Sequence, residues 1–164
     1  MRNDNEVVFL TPAGYERLSR ELEELTTKRR HEIAERIRES MEHGEFSEDH
    51  SELEEIKFEQ AMIENRIAEL KSVLANAQVL TPRDISTRRV GIGCKVTLVN
   101  TRTKKETVIT LVSSAEADPS HNMVSNESPL GKALEGRVKG ERVTVDAPAG
   151  RTTYLITKIG KAVR

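Results

Sequence analysis

Two long runs of apolar residues mirror one another across a short acidic stretch, Met41-Glu-His-Gly-Glu-Phe-Ser-Glu-Asp-His-Ser-Glu52, and this symmetry leaves few folds open. After the stretch, Leu53, Ile56, Ile63, Ile67, Leu70 and Leu74 fall in alternating steps of three and four, with Gln60 filling the one gap. Before it, Tyr15, Leu18, Leu22 and Leu25 keep the same spacing, Arg29 interrupts it, and Ile33, Ile37 and Met41 resume it in steps of four. Such spacing is the seam of a coiled coil. Pairing Leu18 with Leu74, Leu22 with Leu70, Leu25 with Ile67 and Arg29 with Ile63 keeps one constant position sum, which centres the fold-back beside Gly44 and Phe46. The sequence therefore predicts an antiparallel helical hairpin with an acidic loop at its far end.

Local signals bound the two helices. Thr11-Pro12 offers an N-cap followed by proline at the first helical position. The first helix should run from about Pro12 to Glu42, roughly 45 Å at 1.5 Å per residue, which is too long for a small globule. Its outer faces carry Glu and Arg or Lys at helical spacing, Glu32/Arg36 among them. The second helix has two candidate starts. Ser47 as cap would put Glu48 and Asp49 in the first turn, where the helix dipole favours negative charge. Ser51-Glu-Leu-Glu54 is alternatively a capping box. The helix should end near Asn76-Ala-Gln78, with Pro82 barring continuation. The leading Val7-Val8-Phe9-Leu10 is expected to pack at the hairpin base.

Residues 81–92 read as a linker, and beyond them the apolar period changes from helical to strand-like. Lys95–Val99 and Thr107–Val112 predict one hairpin around Asn-Thr-Arg-Thr-Lys-Lys, and Asn122–Ser125 a short strand. Ser128-Pro129 opens a short helix through Leu134, and Arg142–Val145 with Thr153–Ile159 form a second hairpin around Ala147-Pro-Ala-Gly150. The expected architecture is an all-α antiparallel coiled-coil hairpin over residues 1–80, followed by an α+β domain over 81–164 built on a small antiparallel sheet.

Composition agrees with an elongated, surface-rich chain. Of 164 residues, 36% are hydrophobic, 3% aromatic and 32% charged, and there is no Trp. A single cysteine, Cys94, excludes an internal disulfide or a cysteine-cluster zinc site and suits a reducing cytoplasm. No run approaches the ~18 apolar residues of a membrane helix, and no secretory signal is visible. A cytoplasmic, monomeric protein without membrane contact is expected. The near-neutral net charge of −1 conceals a dipole. Residues 12–78 hold 10 Lys/Arg against 17 Asp/Glu, whereas residues 79–164 hold 15 against 8. Residues 42–59 alone carry eight acidic side chains and one basic one, Lys57. Such runs commonly coat a solvated face. They also suit a protein that delivers negative charge at one end and meets nucleic acid or a polymerase rim with the other.

Catalytic signatures are missing: no phosphate-cradling glycine loop, dinucleotide fingerprint or His-Glu-x-x-His pair is present. His31, His43, His50 and His121 form no ligand set and read as surface residues, and Cys94 reads as structural. The basic pairs Arg88-Arg89 and Lys104-Lys105 lack interleaved aromatics, so they suit phosphate or acidic surfaces and not base readout. The acidic tip is the one place with chemistry. Carboxylates are hard ligands for Mg²⁺, yet Mg²⁺ keeps waters and shares ligands with phosphates, so an exposed tip would need a partner to complete the site.

At this point motifs become recognisable. His43-Gly-Glu-Phe-Ser-Glu48 resembles the His-Gly-Asp-Leu-x-Glu-Asn tip of bacterial transcript cleavage factors. Asn76-Ala-Gln-Val79 and Ser125-Asn-Glu-Ser-Pro-Leu-Gly-Lys-Ala-Leu-Glu-Gly136 also resemble that family, in order and over essentially the whole chain. The resemblance is to the GreA/GreB family. It implies a coiled-coil hairpin and an FKBP-like C-terminal domain without isomerase activity. It further implies docking at the secondary channel of bacterial RNA polymerase, where the tip helps hold the second catalytic Mg²⁺ and its water. The polymerase, not the factor, then hydrolyses backtracked RNA at the nascent RNA 3′ end. The family's acidic pair falls on Glu45 and Glu48, with Asp49 as a further candidate, and polymerase docking on Ser125, Ser128, Pro129, Leu130 and Gly131.

The tip departs from the family pattern. The family's Asp is Glu45, its Asn is Asp49, and a nearby aromatic is Glu52. The RNA-gripping basic positions fall near Met41 and Ile56, leaving Arg38 and Lys57 as weaker substitutes. Added acidity with less basic anchoring resembles the anti-cleavage paralogues, which occupy the same channel and inhibit the polymerase. That is the alternative expectation.

Overall fold

The computed structural model describes residues 5–44 and 51–164, and within these the chain forms two compact units. One spans Glu16–Asn76, and the other combines Asn5–Tyr15 with Ala77–Arg164. The boundary expected after residue 80 thus lies between Asn76 and Ala77, and a short N-terminal segment belongs with the C-terminal half.

The first unit is helical. Helix α1 (Pro12–Glu24) runs through a π-helical turn, Leu25–Arg29, into α2 (Arg30–Gly44), and α3 covers Ser51–Ala75. The π turn explains the interrupted seam. A three-four pattern continued from Leu18, Leu22 and Leu25 would arrive at residues 29, 32 and 36, but the apolar residues that follow are Ile33 and Ile37. One extra residue has entered the helix, and a π turn absorbs such an insertion while keeping the apolar stripe on one side. Threonine hydroxyls take up the carbonyls it loosens: Thr26 Oγ1 donates to Leu22 O at 2.8 Å and Thr27 Oγ1 to Glu23 O at 2.7 Å.

Ile33, Ile56, Ile63 and Ile67 are buried together, with Leu22, Leu25 and Ile37 packed against them. Leu18 and Leu70 are buried as well. At the stem, burial passes from the expected Leu74, which is half-buried, to Val73, and Tyr15 is exposed. Met41, at the other extreme, is also exposed. Ion pairs across the two arms fix their antiparallel sense. Arg66 grips Glu21 through two bonds at 2.6 and 2.9 Å, Arg30 grips Glu64 through two at 2.9 Å, and Glu59 receives both Arg29 and Arg36.

The second unit is built on a five-stranded sheet of order β5-β4-β3-β7-β6. Its strands are β3 (Cys94–Asn100), β4 (Glu106–Val112), β5 (Met123–Ser125), β6 (Arg142–Ala147) and β7 (Gly150–Lys161). Every neighbouring pair is antiparallel except β4 and β5. The sheet is therefore mixed, not wholly antiparallel. The connection after β4 makes a 3-10 turn at Pro119–His121 and brings the chain back alongside β4 in the same direction. A bulge between Thr97 and Leu98 shifts the β3–β7 register.

One face of this sheet is covered. Val96, Leu98, Ile109, Leu111, Val143 and Ile156 meet Leu134 of α4 (Pro129–Leu134) in the core. The stretch 81–92, expected as a linker, is part of this body, because Ile85 and Val90 are buried in the same cluster and Thr81 and Asp84 close a capped 3-10 turn. A separate two-stranded sheet pairs β1 (Val8–Leu10) in parallel with β2 (Ala77–Val79). Ala77 and Gln78, expected at the end of α3, are therefore strand residues, and the leading segment packs as a strand.

Thr11 caps α1 as expected. Its hydroxyl accepts from Gly14 N–H at 3.1 Å, and its carbonyl accepts from Tyr15 N–H at 2.9 Å. The same threonine also donates, through its hydroxyl and its backbone N–H, to the buried carboxylate of Glu116.

Candidate functional site

The candidate tip residues Glu45, Glu48 and Asp49 lie outside the described residues, as do Phe46, Ser47 and His50. Ser51 is the first described residue of α3, and the choice between Ser47 and Ser51 as its cap lies outside what the described residues show. The two arms that lead to the tip are described up to Gly44 and from Ser51. Glu42, Glu52, Glu54 and Glu55 are exposed there.

The cations of the arms are mostly committed to neighbouring carboxylates. Arg36 holds Glu59 below the usual carboxylate range through a charge-assisted hydrogen bond, and Arg29 adds a second. Arg30 does the same to Glu64. Arg38, one of the two basic residues nearest the tip, pairs with Glu35 at 3.2 Å. Lys57, the other, is exposed and enters no ion pair among the described residues. Glu42, Glu52, Glu54 and Glu55 thus enter no ion pair among the described residues, so the arms approach the tip with a surplus of carboxylates.

The second candidate region is Asn122–Leu134. Ser125, Ser128 and Gly131 build its turn. Ser128 caps α4, accepting from Gly131 N–H at 3.1 Å, and donates to the Ser125 carbonyl at 2.6 Å. Ser125 Oγ lies 2.7 Å from Ser114 Oγ and accepts from Glu127 N–H. A Cβ on Gly131 would stand 2.0 Å from the Ser125 carbonyl oxygen, so only glycine lets α4 approach this closely. Pro129 is exposed, whereas Leu130 is half-buried and packs against the core of the sheet.

Elsewhere, Cys94 is buried, and burial pushes its thiol up from the ordinary range. It donates to Ser86 O at 3.1 Å and accepts from Gly91 N–H, in keeping with a structural role. His31 and His121 are exposed, and His121 meets Asp118 at 2.6 Å. Among the described residues, no three His, Cys, Asp or Glu side chains gather as a metal group, and no helix is long and apolar enough to cross a membrane.

Sequence reasoning missed one polar centre, the pairing of Glu116 with Thr11. Its signal is weak: a lone acid in a polar loop, 105 residues from its partner.

Comparison with known proteins places these features. The family model described as transcription elongation factor, N-terminal, matches residues 8–79. That described as transcription elongation factor, GreA/GreB, C-term, matches residues 85–161. The chain belongs to the GreA/GreB family. Among relatives, the transcription elongation factor GreA of Thermoanaerobacter pseudethanolicus is 46% identical over 94% of this chain and 98% of its own. That of Caldanaerobacter subterraneus subsp. tengcongensis is 47% identical, over 93% of this chain and 96% of its own. A solved structure, the GreA factor homolog 1 protein of Thermus thermophilus, is 34% identical and covers 94% of this chain and 99% of its own, with a TM-score of 0.45. In this GreA/GreB chain the N-terminal family match coincides with β1, the helical hairpin and β2. The C-terminal match coincides with the five-stranded sheet and α4.

Proposed function

We propose that this chain is an elongation factor that binds bacterial RNA polymerase at its secondary channel and stimulates the polymerase's own hydrolysis of backtracked RNA. The observation that carries this reading is the 46% identity, over nearly the full length of both chains, to a protein named GreA. In this reading the hairpin is an antiparallel coiled coil that reaches toward the nascent RNA 3′ end, and the C-terminal body is an FKBP-like docking domain without isomerase activity. The protein acts as a monomer in the bacterial cytoplasm.

The tip residues Glu45 and Glu48, with Asp49 beside them, would supply carboxylate oxygens to a catalytic Mg²⁺. Two or three carboxylates fall short of the near-octahedral oxygen set that Mg²⁺ demands, so water, phosphate and the polymerase must provide the remainder. The factor is then an accessory, not an enzyme. When bound, the Mg²⁺ activates water and balances charge at the scissile phosphate. This chain's contribution is to carry the carboxylates in on a rigid support. Docking would fall on the Asn122–Leu134 segment. Ser125, Ser128 and Gly131 hold its shape there, Leu130 anchors it to the core, and the exposed Pro129 makes the contact.

The tip's composition favours a second reading. Asp49 and Glu52 add charge where the family has a neutral and an aromatic residue, which suits a channel-blocking inhibitor. The deciding experiment is RNA cleavage in backtracked elongation complexes with and without this protein. Stimulated cleavage supports the first reading. No cleavage above the intrinsic rate, combined with slowed elongation, supports the second.

A further inference from the structure

Along the helical hairpin the apolar seam is thinnest where the two arms are most heavily bridged by charge. On α3 the buried Ile56 and Ile63 have only Gln60 in the seam position between them. On the other arm no apolar residue lies between Leu25 and Ile33, where the π turn passes through Arg29. Glu59 reaches across at this level. Its Oε1 accepts from Arg29 Nη2 at 2.7 Å, and its Oε2 accepts from Arg36 Nη1 at 2.8 Å. Arg29 lies on the stem side and Arg36 on the tip side, so two cations bracket one carboxylate. A slide of α3 toward the stem stretches the Arg36 bond, and a slide toward the tip stretches the Arg29 bond. Among the described residues Arg36–Glu59 is the cross-arm ion pair nearest the tip, because Arg38 turns to Glu35 of its own helix. Past it Met41 is exposed, and the apolar seam contributes little more.

We propose that Glu59, bracketed by Arg29 and Arg36, is a positioning residue that sets the register of the two arms and thereby the place where the tip carboxylates act. This rests on the cleavage reading of the tip. Residues 45–50 join Gly44 to Ser51, so the register of α2 against α3 fixes the offset between the two points that carry them. Apolar side chains at heptad spacing hold two helices together, whereas interhelical ion pairs select how the helices are matched. The three side chains are partly exposed, so their pairing adds little to stability. Register and stability are therefore separable. Without the clamp the hairpin stays folded and its tip is misplaced, and an ångström of misplacement can cost about a hundredfold in rate.

The test compares Glu59→Gln with wild type in three measurements on the full chain. These are cleavage of backtracked RNA at saturating factor, competition on the polymerase, and the distance between spin labels at positions 42 and 52. Cys94 is buried, which leaves the two introduced cysteines for labelling. The cleavage rate should fall about tenfold or more. Competition should hold within about twofold, and the thermal midpoint within about 5 °C. The label distances should broaden. Arg36→Gln should act in the same direction, and Arg36→Gln/Glu59→Gln should be no worse than Glu59→Gln alone, because both changes break one contact. Glu21→Gln, which breaks the pair with Arg66 in the stem, should leave rate and distances unchanged. An unchanged rate or an unchanged distance distribution in Glu59→Gln overturns the proposal. So do additive losses in the double variant, or an equal loss from Glu21→Gln. No stimulation by wild type would instead overturn the cleavage reading, and the label distances would then decide the clamp alone.

Discussion

Thr11 donates both its hydroxyl and its backbone N–H to the carboxylate of Glu116, a residue 105 positions away that is fully buried. A helix cap of local origin is thereby tied into the sheet unit by a buried carboxyl group. Losing the Thr11 hydroxyl takes one donor from the buried carboxyl group, and losing the carboxyl group takes the acceptor from the Thr11 N–H.

Glu116→Ala and Thr11→Val should therefore each destabilise the sheet unit by roughly 1–3 kcal/mol. Gly14→Ala should cost a similar amount, because a Cβ there would stand 1.8 Å from the Glu116 carboxylate oxygen. Urea unfolding measures all three. It also predicts that a fragment beginning at residue 82 is less stable than one that retains residues 5–15, since the shorter piece loses β1, β2 and Thr11 together.

The π turn supports a second expectation. Deleting Thr27 removes the inserted residue, so the helix should become continuous α with Ile33 and Ile63 still buried. Thermal unfolding of the hairpin should then change little. Deleting Glu35, in a regular stretch, rotates every later residue by about 100° and should unseat Ile37. Equal damage from both deletions would contradict this account of the seam.

Burial ranks the seam residues. Leu70→Ala should lose roughly 2–4 kcal/mol and Ile63→Ala a comparable amount, because each truncation leaves a cavity. Leu74→Ala, at a half-buried position, should lose clearly less. Urea midpoints of the three variants give the order directly.

Acid should loosen the hairpin. Arg36 and Arg30 lower the folded-state affinity of Glu59 and Glu64 for protons, relative to about 4.3 for an unfolded glutamate. A depressed carboxylate contributes stability that is fully present above the unfolded value and is lost as pH falls through the folded one. The hairpin's unfolding midpoint should thus hold steady near neutrality and drop below about pH 4. Glu59→Gln/Glu64→Gln should flatten that drop, and high salt should shrink it, because these pairs are surface-exposed.

What the sequence disclosed follows from which signals are local. Thr11-Pro12 and Ser128-Pro129 declare their helices within four residues, and both caps form as expected. The seam declares itself through spacing, and the break at Arg29 was visible even though its resolution into a π turn depends on keeping Ile33 in contact with α3. Strand direction carries no local mark, so β5 was read as antiparallel when its connection brings it back parallel to β4. Ile85 and Val90 are too sparse to show a period, which made a buried stretch look like a linker. Glu116 could not be paired with Thr11 by any short-range rule. For the site, the acidic tip was legible as charge and motif. The candidate segment Asn122–Leu134 is legible as motif alone, and its geometry separates Ser125, Ser128 and Gly131, which shape it, and Leu130, which packs on the core, from the exposed Pro129.

The central claim is that the tip carboxylates act in the polymerase's chemistry and not in docking. Groups that engage the metal chiefly in the transition state should affect rate and leave binding nearly unchanged. The direct measurement compares wild type with Glu45→Ala/Glu48→Ala for cleavage of backtracked RNA and, in parallel, for competition with labelled wild type on the polymerase. The account predicts loss of stimulated cleavage with the competition constant held within about twofold. Full-rate cleavage by the double variant would contradict it.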